Sequence, residues 1–350
     1  MNDELLLVEK WIEMKRYNEG RSAWTCRGYT QHLHRLKAYL EPQGQTLLTA
    51  QPETIEEFCG KHLHDLKIRP ISRRVPVSAI RGFYGWLKQR GILDTNPAQY
   101  LPAPKAGRPL PKAPSLAQAE TLLMQPGTTT FIGLRDTAMI SVLIGSGCRV
   151  SGLVNLTDED LIWTQNPNGT ERLIIRFTEK GKKERLVPMP FESGLMIHAY
   201  LGHPELEEIN RVLPNGRRVL FVSTHNPTVR SHDYHSEARR LSCQGVHNIL
   251  IQHGAACGIP KEYCHPHALR HLYGTELAES EVDLLFRQAL LGHARPDTTE
   301  IYTHLAMRKL SEVVDKASPI PKLHTTPVRD LAIRLGRLTS PLSNPPRLKG

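Results

Sequence analysis

Five prolines, at positions 102, 104, 109, 111 and 114 of the stretch LPAPKAGRPLPKAPS, set the architecture of this chain. Each ring fixes φ and removes a backbone donor, so neither a helix nor an inner strand can run through. What lies before and after must fold separately, and 350 residues suffice for two domains that each bury a core. The expected boundaries are a first domain at 1–104, a linker at 105–114 and a second domain at 115–318. A basic tail at 319–350 follows, rich in proline and expected to be disordered.

Apolar residues recur at three- and four-residue intervals over 5–15, 21–40, 54–66 and 76–91, which predicts an all-helical first domain. Pro76 suits the first position of the last of these helices, where Ile80, Phe83, Tyr84 and Leu87 make one apolar face. Arg81, Lys88 and Arg90 surround that face, and Arg73 and Arg74 precede it. These cations are either a solvated surface or a contact to a polyanion.

In the second domain a helix should begin at Ser115, and another should cover 134–144 before the turn GSGCR. RLIIRFT (172–178) and ERLVPMP (184–190) read as two strands, joined by EKGKK as a cationic hairpin tip. Helical patterns return over 192–213, 244–258, 266–280, 283–291 and 306–317, with an irregular polar loop at 215–242. The fold class is therefore mainly α with a small β-sheet, an α+β arrangement.

With 45 Lys and Arg against 35 Asp and Glu, the net charge is +10, so a polyanionic partner is expected. Cys26, Cys59, Cys148, Cys243, Cys257 and Cys264 form no CxxC pair, so reduced thiols in a cytoplasmic protein are expected rather than a zinc ribbon or disulfide scaffold. The start MNDELLLVEKWIEMK has no basic leader, and no stretch reaches membrane-spanning length, so no membrane partner is expected.

The most reactive segment is CHPHALRHLYGTELAESEVDLLFRQALLGHARPDTTEIYTHL, residues 264–305, which carries His267, Arg270, His293 and Tyr302. Histidines move protons, a guanidinium holds a phosphate with two hydrogen bonds, and a phenol oxygen can become a covalent nucleophile. His267 and His271 are four apart, as in a helical zinc site, but Ala268 stands where the catalytic glutamate of HExxH would be. No metal site is expected.

HALRH (267–271), LLGH (290–293) and TTEIYTH (298–304) together resemble the tyrosine recombinase, or phage integrase, family and in particular its Xer-like members. Upstream, IGLRDTAMISVLIGSGCRVSGLVNLTDEDL is similar to the family's GLRxSEL box and matches Arg149 to its first arginine. EKGKKERLVPMP resembles the family's hairpin turn and matches Lys180 to its lysine. One departure stands out: Gly152 occupies the position, three residues after the arginine, where the family usually has Glu.

The resemblance implies a two-domain DNA clamp: a helical, SAM-like core-binding domain followed by a tyrosine recombinase catalytic domain. It implies Tyr302 as nucleophile, His267 as base, Arg149, Arg270 and His293 around the phosphate, and Lys180 as leaving-group acid. Arg73, Arg74, Arg81, Lys88, Lys182, Lys183 and Arg185 are expected on the DNA backbone. The implied intermediate is a 3′-phosphotyrosyl link, made without metal or cofactor. Implied partners are a double-stranded recombination site, a homotetramer or a heterotetramer with a paralogue on two sites, and accessory proteins. Two readings compete: a type IB topoisomerase sharing the Arg, Lys, His and Tyr logic, and a basic protein that binds DNA without cutting it.

Overall fold

A computed structural model describes residues 3–105, 112–165, 171–178, 184–292 and 304–323. The chain separates into two compact units, Met1–Leu110 and Pro111–Gly350, divided within the proline-rich stretch.

The first unit is helical: α1 (Asp3–Tyr17), α2 (Ala23–Leu40), α3 (Pro52–Glu57), a π-helical turn (Phe58–His62), α4 (Leu63–Asp65) and α5 (Pro70–Gln89). Ser22 caps α2, its hydroxyl accepting from Thr25 N at 3.2 Å. Trp11 from α1 is fully buried, stacked on Tyr29 at 5.5 Å and edge-on to Phe83 at 5.7 Å. Leu33, Leu36, Leu40, Phe58, Ile80 and Leu87 complete the same core.

The last helix of this unit departs from the expectation. It starts at Pro70, six residues early, and Pro76 lies inside it. An interior proline costs about 3 kcal/mol, but Val77, Ala79, Ile80, Phe83, Tyr84 and Leu87 are all buried on one side of α5 and hold it in register. Periodicity located the face correctly; the two prolines competed for the start.

The second unit begins with α6 (Leu116–Met124), where Ser115 and Gln118 form a capping box. Then come α7 (Phe131–Ser146), α8 (Val150–Val154), β1 (Leu161–Gln165), β2 (Glu171–Thr178), β3 (Glu184–Pro188), α9 (Phe191–Leu201) and α10 (Pro204–Glu207). After an irregular stretch follow α11 (Cys243–Ala256), α12 (Pro266–Glu279), α13 (Leu284–Leu291) and α14 (His304–Ala317). Helix α7 is the hub, packed on α6, α8, α9 and α12, and all but one of its residues are buried.

The three strands form an antiparallel sheet in the order β1-β2-β3, with Trp163 opposite Leu173 and Phe177 opposite Arg185. Leu173, Ile175 and Phe177 alternate inward along β2. The strand β1 was not expected, because five residues with no apolar alternation carry too little signal. The irregular stretch after α10 is held by ion pairs: Arg211 on Asp158 at 2.7 Å and Arg217 on Asp160 at 2.6 Å.

The expected tail boundary needs correction. Residues 319–323 belong to the core: Ile320 and Leu323 are buried, and Lys322 Nζ reaches the buried carboxylate of Glu276 on α12 at 2.6 Å. The expectation for 324–350 lies outside the described residues.

Candidate active site

The site is built on the corner after α7. Ser146 Oγ donates to Val142 O at 2.7 Å and accepts from Cys148 N at 3.2 Å, closing the helix end. Gly147 follows at φ 56°, a left-handed cap that glycine adopts without strain. A Cβ there would meet Tyr273 Cδ1 at 2.5 Å, so only glycine lets α12 pack so close. The chain then turns into α8 with Arg149 as its N-cap residue; its carbonyl accepts from Leu153 N at 3.0 Å.

Helix α12 brings His267 and Arg270 to this corner. Arg270 Nη1 donates to Gly147 O at 2.6 Å, and Nη2 donates to Leu291 O at the end of α13. One guanidinium thus ties together the turn carrying Arg149 and the helix that leads toward His293. Helix α13 ends at Gly292, itself left-handed at φ 70°.

His267 remains open to solvent at its edge. Even so, partial burial and the charges of Arg270, His271 and Arg149 push its imidazole below the ordinary histidine value. Near neutral pH the ring is therefore uncharged and able to accept a proton. The charges of Arg149 and Arg270 thus both bear on His267. Lys180, Lys182, Lys183, His293 and Tyr302 lie outside the described residues.

Of the expected backbone contacts, Lys88 is exposed on α5. Arg73 and Arg74 donate to the carbonyls of Gly60 at 3.2 Å and Pro104 at 3.3 Å, and Arg81 donates to Leu101 O. Arg185 is placed differently: its guanidinium nitrogens are buried, its Cζ lies 5.3 Å over the Phe177 ring, and its charge favours ionisation of Cys148 and Tyr273. Burial nonetheless raises both of those groups well above their ordinary values, which keeps the Tyr273 phenol protonated.

Two features of the site escaped sequence reasoning. Gly254 on α11 lets Cys264 pack where a Cβ would stand, only 2.0 Å from its Sγ, which seats the start of α12. His265 caps that helix, its Nδ1 accepting from Ala268 N at 3.0 Å. The polar residue just before Pro266 was the available signal. Among the described residues no group of three His, Cys, Asp or Glu is placed to hold a metal ion, and no helix is long and apolar enough to cross a membrane.

The model described as "Phage integrase family" matches residues 116–309, and "Phage integrase, N-terminal SAM-like domain" matches 8–91. The tyrosine recombinase XerD of Lacticaseibacillus casei is 32% identical over 313 residues, covering 89% of this chain and 98% of the relative. XerD of Yersinia pestis is 30% identical, covering 89% and 97%. Among solved structures, the XerH site-specific recombinase bound to difH substrate has TM-score 0.59 at 18% identity, covering 87% of this chain and 82% of that one. A lambda integrase dimer bound to a COC′ core site has TM-score 0.59 at 14% identity, covering 85% and 96%.

The chain belongs to the phage integrase family. It is an enzyme of that family's tyrosine type, a site-specific DNA recombinase related to the Xer proteins.

Proposed function

We propose that this recombinase cuts and rejoins duplex DNA through a covalent bond between Tyr302 and a 3′ phosphate. The observation that supports it best is the corner at Gly147, where Arg270 is bonded to the turn that carries Arg149 and the charges of both bear on His267. A phenol has an ordinary pKa of about 10 and needs a base at neutral pH. His267 accepts that proton as the Tyr302 oxygen attacks phosphorus. Arg149 and Arg270, charged at any working pH, neutralise the growing charge on the non-bridging oxygens, and His293 donates to the same phosphate.

The bond to the 5′ oxygen breaks, Lys180 protonates that oxygen, and a 5′ hydroxyl leaves. Because the phosphotyrosyl link retains the phosphodiester's energy, another strand's 5′ hydroxyl can displace Tyr302 by the reverse path. The arginines supply the charge neutralisation, so this scheme needs neither metal ion nor nucleotide.

Arg73, Arg74, Arg81, Lys88, Lys182 and Lys183 are assigned to the DNA backbone, Arg185 being buried over Phe177 instead, with residues 1–104 as the core-binding domain and 115–323 as the catalytic domain. Exchange between two duplexes takes four cleavages, hence four protomers on two sites, as a homotetramer or with a paralogue. The setting is the cytoplasm, and the outcome is integration, excision, resolution or transposition of a mobile element or replicon, directed by accessory proteins.

A suicide duplex carrying the recombination site tests this reading. The full chain should form a denaturant-resistant protein–DNA adduct, and Tyr302→Phe should form none. An adduct that survives Tyr302→Phe refutes the assignment. Supercoil relaxation by monomers without synapsis would instead identify a type IB topoisomerase.

A further inference from the structure

His265 is an unusual helix cap. Ser, Thr, Asn and Asp dominate that position because their oxygens accept from the first turn at any physiological pH. Here an imidazole does the work, with extended backbone at φ −149° and Nδ1 accepting from Ala268 N at 3.0 Å. Accepting at Nδ1 requires that nitrogen to be bare, so the ring's proton sits on Nε2.

The ring cannot readily move away. Cys264 before it is locked against Gly254, and Pro266 after it is buried at the first helical position. The turn it caps carries His267 and, three residues on, Arg270.

We infer that His265 is a positioning residue for strand cleavage: it holds the His267–Arg270 turn in place only while its ring is neutral, and releases that turn in acid. This rests on the assignment of His267 and Arg270 under Proposed function.

Protonation at Nδ1 would set one donor against another and place a cation at a helix N-terminus, where the backbone dipole already presents positive charge. The groups whose charge bears on it are His267 and His271 on α12 and His247 on α11, its ring 6.5 Å away, while the preceding turn carries one charge of each sign, Lys261 and Glu262. Burial comes first in lowering the proton affinity of His265, with His267, His247 and His271 adding to it; the Glu262 backbone pulls the other way. Because the folded chain then binds this proton less readily than the unfolded chain, the cap contributes fully above the unfolded pKa of about 6.5 and is lost as pH falls below it.

The full-length wild type is compared with His265→Asn, which caps at any pH, and His265→Ala, which does not. Amide exchange in the peptide covering 266–272 is read at pH 8 and pH 5.5 after correction for intrinsic rates, alongside adduct formation on the suicide duplex. At pH 8 wild type should match the Asn variant and exceed the Ala variant about fivefold in protection, the loss expected for one cap. At pH 5.5 wild type should fall to the Ala level while Asn holds, and Asn should form adduct faster than wild type.

Simple electrostatics predicts the opposite order in acid, since removing a neighbouring cation makes His267 easier to protonate. Equal wild-type to Asn ratios at both pH values overturn the inference. If Ala fails to fold, the wild-type to Asn comparison still decides. Should no variant form adduct, the cleavage reading fails, while pH-dependent exchange still upholds the hold of His265 on the turn.

Discussion

At the residue scale, the narrowest constraint is Gly147. Its left-handed φ would cost a side-chain-bearing residue about 1–2 kcal/mol, and the collision with Tyr273 about 1–3 more. Gly147→Ala should therefore destabilise the second unit by about 2–5 kcal/mol in urea unfolding, and should disturb the carbonyl that receives Arg270. Gly152 is the contrast. A Cβ there would meet Phe177 at an ordinary 3.5 Å, so Gly152→Ala should fold within about 1 kcal/mol of wild type, on the stabilising side. The missing family glutamate thus marks a changed side chain and not a forbidden backbone. HALRH and GSGCR were legible because the chemistry is written in the residue types. The role of His265 was not, because histidine is not among the usual cap residues and the residue string does not show its ring turned back onto the helix.

At the scale of elements, the segment after Tyr302 was the least legible. Helix α14 was expected, and its buried residues Leu310, Val314 and Ala317 pack in the core of the second unit. The five residues beyond it read as tail because two prolines and a lysine mask Ile320 and Leu323, which fill the core one at a time. A chain ending at 323 retains Ile320, Lys322 and Leu323. One ending at 318 should lose about 3–6 kcal/mol, from the burial of two large aliphatic side chains, and it also strands Glu276 without Lys322. Equal urea midpoints for the two truncations would show that this closure is ornamental. Likewise α5 was found but misplaced, since a start signal at Pro76 is local whereas the burial that carries the helix back to Pro70 is tertiary.

At the scale of the whole molecule, the two cores are separate. Trp11 and its neighbours form the core of the first unit, and the hub helix α7 has its own partners in the second. Fragments 1–110 and 111–350 should each unfold cooperatively in urea, read by Trp11 burial in the first and near-ultraviolet circular dichroism in the second. A fragment 1–110 without a cooperative transition would show that the first core needs the second.

The six thiols have a practical consequence. Cys26, Cys59, Cys148 and Cys264 are buried, with the Cys59 thiol pushed up to about 12, and Cys257 is half-covered, whereas Cys243 is exposed at the start of α11. Maleimide chemistry at neutral pH should therefore choose Cys243 first, since the other thiols are shielded from the reagent. A single dye could thus be placed on the catalytic unit without deleting any native cysteine, and synapsis followed by energy transfer between separately labelled protomers.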